Sequence, residues 1–578
     1  MRVIDWVVMA STLLAIVLYG MYRGRGSKNL SGFLLADRSM KWYTVALSIM
    51  ATQASAITFT STPGQGYADG MRFVQYYFGL PIAMVILSVT AVPIFHRLKV
   101  FTAYEYLEHR FDLKTRTLTS LIFLIQRGLG VGITIYAPSI VLSVVLGWSL
   151  QWTSILIGGT VILYTTTGGV KSVNWTDFQQ MLVIMSGMIL AFVMTIVLLP
   201  KDVSFSDALY VAGGLGRLNV IDFTFDPNNR YNFWSGIIGG MFVALAYFGT
   251  DQSQVQRYLT GKSVTQSRLG LLFNGIAKVP MQFFILLLGV MVFVFYQFVQ
   301  PPLFFNPVER QRVATGAYAE SYAALEQRYG AASQEKASAI RKYLEERRSG
   351  DESSLASARQ SLEISAGAAE TVRKEAVELI KKNDPSADPS DTNYIFLTFV
   401  LSYLPAGLVG LVFACIFAAS MSSTSGELSA LASCSVVDIY KRHVRPDATE
   451  NHYLIVSRAA MALWGIYAVA FAQFASRLGS LIEAVNIIGS LFYGTMLGIF
   501  LLAFYLRYVR GTAVFWAAFA GEALVLYCFF MTKISWLWYN VVGCLAVIAA
   551  AALIESIMRR GKKENRGDPT GSPRFTGR

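Results

Sequence analysis

Five hydroxyl-bearing residues, Ser420, Ser422, Ser423, Thr424 and Ser425, stand almost side by side in the stretch PAGLVGLVFACIFAASMSSTSGELSALASCSVVDIYKR at 405–442. What precedes them is apolar enough to lie in lipid; the closing DIYKR belongs in water. Two kinds of chemistry account for hydroxyls gathered at membrane depth. Small hydroxylated residues let helices approach closely and hydrogen-bond across the contact, which is the commoner use. A small hard cation also takes several oxygens at once, from hydroxyls and from the carbonyls of interrupted helices. The stretch alone leaves both open.

A second polar run lies in VALSIMATQASAITFTSTPGQGYADG at 45–70, where Thr52, Gln53, Ser55, Thr58, Thr60, Ser61 and Thr62 precede Pro63, Gly64 and Gly66. That is a weak helix inside an apolar frame. Broken helices are tolerated at mid-membrane where they line a cavity, and there they expose carbonyls to ions. SGIIGGMFVALAYFGTDQS at 235–253 is built the same way. Two interrupted helices five spans apart point to an inverted-repeat transporter. Arg127, Lys278 and Asp177 are ionisable residues within otherwise apolar spans, each a functional candidate by default. The alternative for all three is snorkelling or capping near a span end. Glu427, just past the serines, has no evident role in the sequence alone.

These residues must be carried by helices in a bilayer. Of the 578 residues 54% are hydrophobic and 15% charged, with a mean hydropathy of +0.46; a soluble chain carries roughly 25% charge. Apolar runs long enough to span recur throughout, at 4–21, 42–64, 73–97, 119–147, 151–169, 175–199, 233–250, 265–299, 394–437, 452–474, 479–506, 513–531 and 535–557. The runs are continuous rather than alternating, which excludes an outer-membrane barrel. The first run lacks a cleavage site and is followed by Arg23, Arg25 and Lys28, so it reads as a retained helix. The net charge of +13 does not indicate nucleic acid, because the Lys and Arg residues fall in short loops at alternate span ends. About thirteen helices satisfy the positive-inside rule with the N-terminus outside and the C-terminus cytoplasmic, in a plasma (bacterial inner) membrane. The loop at 475–478 falls on the outer side, and the basic tail from Arg559 is expected to be disordered.

Residues 301–393 break the composition. They are polar, nearly charge-balanced and helical in period, with Tyr318, Tyr322, Leu325 and Tyr329 stepping 4, 3, 4, and Val372, Ala376 and Leu379 stepping 4, 3. Gly350-Asp351 is the expected turn between two helices. This is an outer-face helical insertion, open to three roles: a lid, a docking module for a protein partner, or a stabiliser. The cysteines Cys415, Cys434, Cys528 and Cys544 lie in apolar surroundings without metal-ligand spacing. No Ser-His-Asp, HExxH or Walker arrangement is present, so an enzyme reading has no support.

Six stretches in order make the chain resemble the sodium:solute symporters: ATQASAITF at 51–59, IYAPSIVLS at 135–143, GGVKSVNWTDFQQ at 168–180, YFGTDQSQVQRYLTGKS at 247–263, LVFACIFAASMSSTSGELSALASCSVVDIYK at 411–441 and GSLFYGTMLGIFLL at 489–502. The resemblance implies an all-α polytopic protein with a LeuT-type inverted-repeat core. One extra helix and its loop (1–41) would precede the core parts at 42–300 and 394–507, with extra helices at 508–558 and the tail at 559–578 after them. It further implies a sodium ion held by carbonyls of Ala51, Ala54 and Ala419 and by the hydroxyls of Ser422 and Ser423. A second sodium would sit at Asp177, Ser422 and Ser425. The solute would be held among Gln53, Ser55, Thr58, Gln75, Arg127, Tyr247, Lys278 and Asn486, with Tyr247 as an inner-gate aromatic. The expected activity is sodium-driven import of a small polar organic solute. A monosaccharide or a sugar acid such as sialic acid is the first reading; a monocarboxylate or other small anion is the alternative, and a transporter-like sensor the rival from another class.

Overall fold

The computed structural model describes residues 1–24, 30–385, 387–474 and 481–564. The chain there is helical, with an isolated bridge between Met40 and Gly261 as the one trace of strand pairing among the described residues. Ten of the described helices are long and apolar enough to cross a membrane, and Leu150–Leu163 and Ser235–Gly249 are shorter apolar helices. The expected thirteen runs are therefore divided differently. The runs at 151–169 and 175–199 both lie within Leu150–Val197, as two helical segments that meet at a non-helical Gly169 (φ 63°, ψ 170°). The run at 394–437 is two helices, Thr392–Tyr403 and Leu408–Ser433, separated around Pro405. Arg25, Lys28, the loop at 475–478 and the tail beyond 564 lie outside the described residues; from Arg559 to Glu564 the chain continues the last helix.

The site depends on nine helices. In chain order they are α1 (Val3–Gly24), α2 (Trp42–Gln53), α3 (Ala56–Asp69), α4 (Leu113–Leu146), α5 (Leu150–Val197), α6 (Ser235–Gly249), α7 (Gln252–Leu259), α8 (Val264–Phe298) and α9 (Leu408–Ser433). A tenth, α10 (Leu481–Tyr505), closes the side of the site. α2 and α3 are one span broken at Ala54 (ψ 68°) and Ser55 (ψ 173°). The break follows from side chains that compete with the backbone: Thr52 Oγ1 donates to Ser48 O at 2.8 Å and Thr60 Oγ1 to Ala56 O at 3.0 Å. It leaves the last carbonyls of α2 without helical partners.

α9 is buried along nearly its whole length. Its N-terminus starts after Gly407, which has no capping side chain, and Asp5 of α1 supplies one. The Asp5 carboxylate accepts from Gly407 N at 2.6 Å and Gly410 N at 3.4 Å. A helix N-terminus with unsatisfied N–H groups and partial positive charge favours such a carboxylate. Farther along, α9 crosses α2 at Gly426. A Cβ there would meet Thr52 Cγ2 at 3.3 Å and collide with the Arg257 guanidinium, so any side chain at this crossing would displace Arg257.

The insertion forms an antiparallel helical hairpin, Ala319–Ser349 and Glu352–Asn383, turning at Gly350 in the left-handed region (φ 79°). Tyr322, Leu325 and Tyr329 bury themselves against Val372, Ala376 and Ile380. Tyr318, the first of the expected series, is exposed. The hairpin tip docks on the helix Phe205–Gly214. There Asp207 accepts from Arg348 at 2.9 Å and Arg347 at 3.3 Å, and Tyr210 stacks on Tyr343 with ring centroids 5.0 Å apart. At its base Arg373 pairs with Asp391 at 2.6 Å.

Candidate functional site

Three polar assemblies meet where α9 passes the α2–α3 break. The first is the serine run itself. Ser423 Oγ donates to Ala419 O at 2.9 Å and to Ser420 O at 3.3 Å, while Ser425 Oγ donates to Ser422 O at 3.0 Å. A hydroxyl that spends its proton on its own helix keeps its lone pairs for a cation. Ala51, in the last turn of α2, and Ala54, at the break itself, are buried, and both α2 and α3 pack against α9. The five residues expected at the first sodium site thus lie on elements in mutual contact.

The second assembly surrounds Asp177 on α5. Its carboxylate accepts from Ser422 Oγ at 2.5 Å and from Ser48 Oγ at 2.6 Å, and Arg257 NH1 stands 3.7 Å away. Asn174, one turn earlier on α5, accepts from Arg257 at 3.2 Å and from Ser48 at 3.0 Å. The cluster ties α2, α5, α7 and α9 into one fully buried network. Ser422 is shared by both expected ion sites. Ser425 turns to its own helix instead of to Asp177. Ser48, Asn174 and Arg257 were not singled out from sequence; a lone serine in VALSIM and an arginine beside a loop give no local signal.

The third assembly frames a cavity of about 80 Å³ lined by residues of both halves of the broken span, of α4, α6, α9 and α10, and by Tyr76 and Tyr77. Of the expected solute residues, Gln53, Ser55, Thr58, Arg127, Tyr247 and Asn486 line it. Gln75 and Lys278 do not. Gln75 is occupied in holding a loop: its amide donates to Tyr231 O at 2.9 Å and accepts from Asp222 N at 3.0 Å. Lys278 is fully buried on α8 and faces the Tyr77 ring, its Nζ 5.9 Å from the centroid.

Arg127 is the hub of this wall. It donates to Glu427 Oε1 at 3.0 Å, to Tyr493 OH at 2.8 Å and to Asp251, and its guanidinium carbon lies 5.5 Å from the Tyr247 ring centroid. A single cation pins α4, α6, α7, α9 and α10 where the cavity ends. Glu427 therefore has a partner that sequence could not supply, and Arg127 is not a free anchor for a carboxylate. Tyr247 accepts from Gln254 at 2.7 Å and packs beside Tyr493, ring centroids 5.9 Å apart. Asn486 accepts from Tyr76 OH at 3.2 Å.

Chemically, the arrangement offers oxygen ligands suited to a small hard cation next to a small, aromatic-walled polar cavity. The family model for "Sodium:solute symporter family" matches residues 33–325 and 384–521. Over 536 residues the chain is 28% identical to the sodium-coupled monocarboxylate transporter 1 of Xenopus laevis, spanning 90% of this chain and 71% of that protein. Over 305 residues it is 33% identical to the sodium/iodide cotransporter of Homo sapiens, spanning 52% of this chain and 46% of that protein. It matches the structure of a Na+-coupled sialic acid symporter in a substrate-bound outward-open state with a TM-score of 0.73 at 22% identity, over 96% of this chain and 98% of that one.

Proposed function

Taking as premise that the chain belongs to the sodium:solute symporter family, we propose that it imports a small carboxylated organic solute by alternating access. The protein is a multi-pass membrane transporter with sodium as its coupling ion, and its family is not one of enzymes. The observation that carries the mechanism is the contact of α9 with both halves of the α2–α3 break. Sodium ligands drawn from Ala51 and Ala54 on one side and from Ala419, Ser422 and Ser423 on the other form a site only while those elements meet. The ion then favours the conformation in which they meet, which is the differential affinity that coupling requires. Asp177, bridging Ser48 and Ser422, would hold a second sodium and report on the same contact.

The monocarboxylate transporter among the relatives supports a carboxylate on the solute. So does size. A cavity of about 80 Å³ is far below the roughly 300–1,000 Å³ of sites for drug-sized ligands, which favours a solute of a few carbons over a monosaccharide or a sialic acid. The test is uptake into proteoliposomes of the full chain, driven by an inward gradient of sodium, potassium or choline. Accumulation above equilibrium with sodium alone is expected. Equal uptake in potassium or choline would overturn the reading.

A further inference from the structure

Two buried ionisable groups of opposite type near the cavity, Glu427 and Lys278, each keep an atom without a hydrogen-bond partner among the described residues. Glu427 gives Oε1 to Arg127, but its Oε2 is buried without a hydrogen-bond partner among the described residues, the neighbouring Thr134 hydroxyl donating to Gly130 O instead. Arg127 cannot neutralise it fully, because the same guanidinium is shared with Asp251. One guanidinium facing two carboxyl groups cannot balance both when they are ionised, and an uncompensated charge away from water is costly. Lys278 Nζ, fully buried, has neither a hydrogen-bond nor an ion-pair partner among the described residues. It looks instead onto the face of Tyr77, and Tyr77 and Glu427 both line the cavity.

Each class of solute leaves a different charge unanswered. A simple carboxylate would satisfy Lys278 and strand Glu427; a simple amine would do the reverse; a sugar brings hydroxyls but no charge for either. A molecule with both an ammonium and a carboxylate satisfies both. The walls agree with this. Tyr76 and Tyr77 meet edge to face with centroids 4.6 Å apart, and with Tyr493 they supply the ring faces that attract an ammonium group. We infer that the solute is a small zwitterion, its ammonium held by Glu427 among the tyrosines and its carboxylate by Lys278 once Tyr77 rotates aside. This rests on the symporter reading of the same cavity.

The experiment measures sodium-22 binding to the purified full chain and sodium-driven uptake of L-alanine, L-proline and glycine betaine, beside lactate and isopropylamine as the matched anion and cation. At least one zwitterion is expected to enter tenfold faster than lactate or isopropylamine. Glu427→Gln and, independently, Lys278→Met should each raise its half-saturation concentration tenfold or more while sodium-22 binding persists. Sodium binding without uptake of any of the three zwitterions, or with lactate entering as fast, overturns the inference and leaves symport standing. So does a Glu427→Gln protein that loses sodium affinity but keeps its affinity for the zwitterion, since that would make Glu427 an ion ligand. Absence of sodium-22 binding by the unaltered chain overturns the symport reading itself. The comparison of solutes on the unaltered chain needs no variant to fold.

Discussion

Ser422 and Ser423 are neighbours with different duties. Ser422 donates its proton across to Asp177, tying α9 to α5, whereas Ser423 donates only to its own helix at Ala419 and Ser420. Ser423→Ala therefore removes an oxygen proposed to ligate sodium and no inter-helix tie. Its expected effect is a sodium half-saturation raised about tenfold, equivalent to about 1.4 kcal/mol of ion binding, with the amount of folded protein unchanged. A sodium titration of uptake checks this, and an unmoved midpoint would remove Ser423 from the site. Arg127 is the opposite case, a residue whose loss should be felt first in stability. Without it Asp251 and Glu427 are left buried and facing one another, at a cost of about 3–5 kcal/mol for a broken buried pair. Arg127→Gln should lower the melting temperature sharply, and adding Asp251→Asn and Glu427→Gln should recover much of it. Arg127 was conspicuous in the sequence as a lone charge in an apolar span. Its partners were not, because they lie 124 and 300 positions away and no local pattern connects them. The serine run was legible for the converse reason: its residues are adjacent in the chain.

Among the elements, those whose interruption is written in side-chain chemistry were readable in advance. The hydroxyl-rich stretch around Ala54 breaks where Thr52 and Thr60, on either side, bond back to the backbone, and Gly350-Asp351 turns the hairpin as expected. The division into spans was less so. Hydropathy registers the division near Gly169, where the backbone does leave the helix, but it passes over Pro405, where the chain also changes helix. Least legible was the cap on α9, since Asp5 sits some 400 positions from the N–H groups it serves, with separations of 402 and 405. That contact makes a prediction of its own. Asp5→Ala deprives the first turn of α9 of its acceptor, and loss of a capping carboxylate costs about 1 kcal/mol. The variant should fold, melt slightly lower and need more sodium for half-maximal uptake, because α9 bears the hydroxyls proposed as ligands. Asp5→Asn retains an acceptor oxygen and should fall between the two; identical melting and sodium titrations for all three proteins would reduce α1 to a passive neighbour.

At the scale of the molecule, the membrane-embedded network lies between segments outside the spans that carry buried carboxyls of their own, and these set how stability varies with pH. Glu105, in the short helix Ala103–Arg110, is pushed up to about 7 by burial, with Arg116 3.9 Å away pulling in the other direction. Asp388, where the insertion rejoins the spans, is pushed up to about 6, chiefly by burial, against the Ser390 N–H and with the negative charges of Asp391 and Glu309 adding to the rise. Each folded-state value lies above the ordinary one, 4.5 for Glu105 and 3.8 for Asp388. Over the interval between, the folded protein keeps a proton that the unfolded chain has released, so proton release opposes folding and stability falls as pH rises. The contribution is intact below about pH 4 and is lost as pH climbs through about 6 for Asp388 and about 7 for Glu105. Lys336 in the insertion, lowered to about 8 by burial and by Arg373, acts in the opposite sense only at higher pH, as it is protonated in both states well below that value. An apparent melting temperature followed from pH 4.5 to 7.5 should therefore decline. Glu105→Gln should flatten the upper part of that decline and Asp388→Asn the lower part, since neither amide titrates. A slope that both substitutions leave intact would assign the pH dependence to other groups, and one of opposite sign would mean that these carboxyls are ionised in the folded protein.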